Sequence, residues 1–120
     1  MQYRLADLAL DTFPYGSHTT ASDALWMGCP LVTRVGETFA SRVAGSILSS
    51  ARLPELITDA PAQYESLVIE LATSPEKLLA IRRKLEQNRD SCPLFDTPRL
   101  VRNLESAYQE MYRALANGKA

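Results

Sequence analysis

A chain of 120 residues, 46% of them hydrophobic, is long enough for one domain with one core and too short for several. Its 13 basic and 14 acidic residues leave a net charge of −1, so no bulk field draws it to nucleic acid or to an anionic membrane. No apolar run approaches the roughly 20 residues of a membrane span, and Met1-Gln2-Tyr3-Arg4 lacks the apolar segment of a signal peptide. The two cysteines, Cys29 and Cys92, lie far apart and form neither a metal-ligand pair nor a disulfide framework. The expectation is a cytoplasmic protein with no membrane and no nucleic-acid partner.

The first apolar run, Leu8-Ala9-Leu10, is closed by Asp11 and reads as a strand over residues 8–11. A turn-rich loop follows, Thr12-Phe13-Pro14-Tyr15-Gly16-Ser17. His18-Thr19-Thr20 then opens a helix with Leu25 and Trp26 as its apolar face, Trp26 being assigned to the core. Gly28 stops that helix, and residues 31–33 read as a second strand. Gly36-Glu37-Thr38 is a loop at the carboxyl end of that strand. Phe39, Val43, Ala44, Ile47 and Leu48 form an amphipathic stripe that runs out at Ser49 and Ser50.

A short third strand is expected at residues 56–58. Asp59, shortly before Pro61, predicts a helix start, and Tyr64, Leu67, Val68, Leu71 and Ala72 its apolar face. Ser74-Pro75-Glu76 predicts another start: a capping serine, proline at the first helical position, then an acid near the positive helix end. Leu78, Ile81 and Leu85 face inward from it, and Arg82-Arg83-Lys84 reads as a solvated face. Residues 90–96 break the pattern. Thr97-Pro98 opens a last helix striped by Leu100, Val101, Leu104, Tyr108, Met111, Tyr112 and Leu115, which residues 117–120 end.

The order is βαβαβ followed by helices, an α/β fold with a partial Rossmann-like parallel sheet of about three strands. Doubly wound domains commonly have about five or six. The chain therefore reads as the back half of such a domain, possibly cut from a longer protein, with residues 1–60 as the nucleotide-binding segment and 61–120 as a helical one.

In a βαβ unit, ligands sit at the carboxyl ends of the strands, over helix N-termini. The unpaired N–H groups and partial positive charge of such a terminus make an anion site. Thr19 and Thr20 would add hydroxyl donors, and His18 a ring that can donate or stack. Asp23 lies one turn on, where a carboxylate could hold a ribose diol. The same residues match a capping box, with Thr20 as N-cap and Asp23 three residues on, which stabilises a helix with no ligand at all. Alternatively Ser17 caps the helix and leaves Thr20 and Asp23 open. Asp11 reads as an Asx turn or a substrate ligand, Glu37 as an exposed loop acid or a contact to a sugar hydroxyl, and Cys29 as a small buried hydrophobe.

Several motifs recur here in one order and spacing: Asp11-Thr12, Gly16-Ser17-His18-Thr19-Thr20, Asp23, Leu25-Trp26-Met27-Gly28-Cys29-Pro30, Val32-Thr33 and Gly36-Glu37-Thr38-Phe39-Ala40-Ser41-Arg42-Val43. Pro93-Leu94-Phe95-Asp96-Thr97 joins them farther on. Together they resemble the C-terminal catalytic domain of the O-linked N-acetylglucosamine transferase family, which includes the plant SPINDLY-type fucosyltransferases. The resemblance covers nearly the whole chain. It implies the GT-B fold, with the active site between two Rossmann-like domains. It also implies transfer of a sugar from a nucleotide diphosphate donor, UDP-GlcNAc first among them, to protein serine or threonine. The resemblance implies further that no metal or other cofactor takes part.

By the same resemblance, His18, Thr19 and Thr20 match the family's pyrophosphate motif and Asp23 its ribose-binding acid; Ser17 and Glu37 are separately expected near the donor sugar. The catalytic histidine, the protein-acceptor groove, the uracil contacts and the phosphate-neutralising lysine would belong to preceding sequence, as would TPR repeats. The chain alone is then expected to be inactive. The alternative is a regulatory or interaction module without a ligand. A strand edge cut free at residues 8–11 and the stripe of the last helix predict a homodimer or swapped assembly through one or the other of these surfaces.

Overall fold

The protein, seen in a computed structural model, is described over residues 5–118. Strand β1 (Ala9–Leu10) leads to helix α1 (Thr19–Trp26), strand β2 (Leu31–Arg34), helix α2 (Val43–Ser50) and strand β3 (Ile57–Thr58). Helices α3 (Pro61–Thr73), α4 (Pro75–Arg89) and α5 (Thr97–Ala116) follow, with short 3-10 turns at Pro54–Leu56 and Pro93–Phe95. Among the described residues the sheet has three strands in the order β1-β2-β3, all parallel. Ala9 stands opposite Leu31 and Leu10 opposite Val32, while Thr33 faces Ile57 and Arg34 faces Thr58. The βαβαβ order and the α/β class are those that the apolar periodicity predicts; β1 is shorter at both ends and β2 runs one residue farther. The signal-peptide reading at residues 1–4 and the end of the tail at residues 119–120 lie outside the described residues.

The core forms where α1 and α2 lay leucines on the sheet. Leu25, Val32, Leu48, Leu53, Leu56 and Leu85 are fully buried there. Two helix ends close in the same way. At α1, the Cys29 N–H donates to the Ala24 carbonyl at 2.8 Å and the Gly28 N–H to Leu25 at 3.1 Å. Gly28 has φ +83°, the left-handed position that this motif requires. At α2, Leu53 bonds to Leu48 and Arg52 to Ser49, with Arg52 in the left-handed region at φ 61°. Cys29 and Cys92 are both buried. Burial pushes the Cys29 thiol up, against the pull of the Arg82 charge, so it behaves as a small apolar group.

Several expectations change once neighbours are present. Trp26 is half exposed: its ring meets Phe95 edge-on at 4.9 Å, and the Arg89 guanidinium lies 5.4 Å from the ring centre. Phe39 precedes α2 and is exposed, since the chain turns through residues 38–42 first. Ala60, not Asp59, caps α3, and Ser74 precedes α4 without a side-chain capping bond. Ala72 is exposed. Arg82 is no free surface cation; it reaches Asp7 at 3.3 Å and the carbonyls of Gly28 and Ala6 at 3.4 Å, tying α4 to the segment before β1. Helix α5 is capped by Asp96, whose carboxylate accepts the Arg99 N–H at 3.1 Å. Its apolar stripe is exposed along its length, with Tyr112 at 73%. No helix among the described residues is long and apolar enough to cross a membrane.

Candidate functional site

The loop after β1 is held from its first residue. The Asp11 carboxylate accepts the Thr12 N–H at 2.9 Å and the Ser17 N–H at 2.6 Å on one oxygen, and the Thr33 hydroxyl at 2.6 Å on the other. Asp11 is buried, so it is not a ligand open to substrate, and its bonds reach well past a local Asx turn. The Gly16 N–H donates to the Ala40 carbonyl at 3.1 Å, joining this loop to the one that follows β2. Both loops thus meet at the carboxyl end of the sheet.

The chain then enters α1 with His18 as N-cap. Thr20 lies inside the first turn, so the capping-box assignment of Thr20 fails. Ser17 does not cap either; its N–H goes to Asp11, and among the described residues no side chain bonds to the N-terminus of α1. The physical reason is the anchored loop, which fixes the helix entry two residues earlier than the local pattern suggests. The N–H groups of Thr19, Thr20 and Ala21 therefore lack an acceptor among the described residues. Thr19, Thr20 and Asp23 are exposed, and Ser17 and His18 are half-buried.

His18 is flanked by two aromatic rings that sequence reasoning did not bring to the site. Tyr15 stacks on it at 5.2 Å and 23°, and Phe39 meets it edge-on at 6.3 Å. Its Nε2 is buried without a hydrogen-bond partner, which is rare for a polar atom. No period marks Tyr15, which sits in a loop, and the helical stripe read through Phe39 assigns that ring to the core face of α2, although it precedes the helix. Glu37 is exposed and lines a separate hollow of about 290 Å³ with Phe13, Arg34, Thr38 and Ser41. There Arg34 lies 4.8 Å from the centre of the Phe13 ring. The structure thus gathers His18, Thr19, Thr20 and Asp23 on α1, and puts Glu37 on the adjoining loop. Among the described residues, no group of three or more His, Cys, Asp or Glu side chains could hold a metal ion.

An open parallel sheet with an uncapped helix N-terminus at its carboxyl edge defines a Rossmann-like α/β protein. The chain belongs to glycosyl transferase family 41, whose model matches residues 2–104. It is 40% identical over 116 residues to the Arabidopsis thaliana probable UDP-N-acetylglucosamine–peptide N-acetylglucosaminyltransferase SEC, covering 96% of this chain and 12% of that protein. It is 36% identical over 115 residues to the Caenorhabditis elegans UDP-N-acetylglucosamine–peptide N-acetylglucosaminyltransferase, covering 96% and 10%. An O-GlcNAc transferase mutant from Thermobaculum terrenum superposes with a TM-score of 0.91 at 34% identity, over 99% of this chain and 23% of that one. The chain therefore spans about an eighth of the length of the plant relative and about a tenth of the worm one.

Proposed function

We propose that this chain is the donor-nucleotide half-site of a GT-B glycosyltransferase, which carries a sugar from a nucleotide diphosphate to protein serine or threonine. UDP-N-acetylglucosamine is the first donor to try, since the relatives are named for it. The observation that carries the reading is the uncapped first turn of α1, with open N–H groups and exposed Thr19 and Thr20 hydroxyls. These donors suit the pyrophosphate, with His18 beside them at the N-cap, and Asp23 one turn on suits the ribose. Ser17 and Glu37 border the donor sugar. No metal or cofactor enters this reading. The acceptor protein would bind on the partner domain of the GT-B pair.

Replacing Thr20 by Ala in the intact protein should weaken UDP binding by about 1–2 kcal/mol, the loss of one hydrogen bond to a charged group. Titration calorimetry measures it. Because Thr20 makes no capping bond, the melting temperature should hardly move. An unchanged affinity would remove the pyrophosphate assignment.

The same reading extends to association. Among the described residues β1 is paired only with β2, and a groove of about 720 Å³ is lined by Leu8 and Leu10 together with Val68, Leu71 and Leu79 of α3 and α4. Studied alone, the chain would cover this edge with a second copy. Light scattering should show a dimer that Leu10→Lys returns to monomer. A monomer throughout roughly a hundredfold range of concentration would reject the pairing.

A further inference from the structure

Asp11 is 4% exposed, and its carboxylate is engaged by three donors, on Thr12, Ser17 and Thr33. The row continues across the sheet, because the Thr58 hydroxyl donates to the Thr33 carbonyl at 2.8 Å. Asp11, Thr33 and Thr58 thus link the carboxyl ends of all the strands described. From outside the sheet, the Tyr64 hydroxyl donates to the Asp11 carbonyl at 2.8 Å. Burial, reinforced by the Asp11 charge, pushes this phenol above its ordinary range, so the donor stays protonated. The loop is drawn close as well: a Cβ on Gly16 would stand 3.1 Å from the Asp11 carboxylate and 3.1 Å from the Ala40 carbonyl.

We infer that Asp11 is the positioning residue of the diphosphate-binding turn. It touches no ligand; it grips the N–H of Ser17, the residue immediately before the N-cap His18, and so sets where the open N–H groups of α1 point. Donors held in place before a ligand arrives need no ordering at the moment of binding, and small displacements of such donors are costly. The inference rests on the nucleotide reading proposed above.

The test compares UDP with uridine on the intact protein by calorimetry, at a temperature where each variant is folded by circular dichroism. Asp11→Ala should weaken UDP about tenfold or more and leave uridine unchanged, because only the diphosphate sees the turn. Asp11→Asn keeps an acceptor for Ser17, and the Thr33 hydroxyl can rotate to accept from its amide, so UDP binding should stay within about threefold of the original. Thr33→Val removes a single bond, and UDP should weaken about threefold to tenfold. Equal losses for UDP and uridine would mean a general structural role and overturn the inference. So would unchanged UDP binding in Asp11→Ala while Thr20→Ala still weakens it. If Asp11→Ala does not fold, Thr33→Val decides alone, and unchanged UDP binding in that variant overturns the inference. Unchanged binding in Thr20→Ala as well would instead bring down the nucleotide reading itself.

Discussion

Replacing Leu48 by Ala should destabilise the folded chain by about 2–5 kcal/mol, the cost of emptying a leucine site in a packed core. Leu48 is fully buried on α2, and its carbonyl also accepts the Leu53 N–H that closes that helix. The matching change on α5, Leu104→Ala, should cost no more than about 0.5 kcal/mol, because that residue is 47% exposed and truncating it removes little buried apolar area. Urea unfolding followed by the fluorescence of Trp26 measures both, with the slope against urea unchanged if the denatured state is unaffected. A loss at Leu104 as large as that at Leu48 would show α5 packed against a partner surface. A small loss at Leu48 would contradict the placement of the core.

The second large effect is the absence of catalysis in the chain on its own. With UDP-N-acetylglucosamine and a serine-containing peptide, the 120-residue chain should release no UDP above the uncatalysed background. Stabilising a leaving diphosphate calls for positive charge aimed at it as well as hydrogen-bond donors. The first turn of α1 supplies donors, but the nearby cations are engaged elsewhere: Arg34 against the Phe13 ring, and Arg42 on the Gly36 carbonyl at 3.0 Å. The ring of His18 lies between Tyr15 and Phe39 and is not placed as a general base. A coupled assay for released UDP decides the matter. Turnover that scales with the concentration of the chain would show that this segment carries the chemistry by itself.

What the sequence by itself determined are the features set by local physics. Apolar periodicity and the left-handed Gly28 placed β1, α1 and β2 in order, and Pro61, Pro75 and Pro98 marked helix starts because a proline is tolerated in the first turn. The motif His18-Thr19-Thr20 with Asp23 was legible for the same reason, since a helix start after a strand is written within a few residues. The tertiary structure decided what depends on residues far apart in the chain. The capping-box pattern at Thr20 and Asp23 is locally sound, yet the bonds of Asp11 to Ser17 and of Gly16 to Ala40 move the helix entry back to His18 and leave the first turn open. Trp26 and Phe39 look like core residues by hydrophobicity, but burial depends on what packs on them, and Phe95 and Arg89 leave Trp26 half exposed while the edge-on contact with His18 leaves Phe39 open. Asp11 looks like a turn residue because its partner Thr33 lies 22 positions away, brought alongside only when β1 and β2 pair in parallel. Local pattern fixes which elements form, whereas the anchoring of a site is a through-space matter that comes into being only when the strands meet.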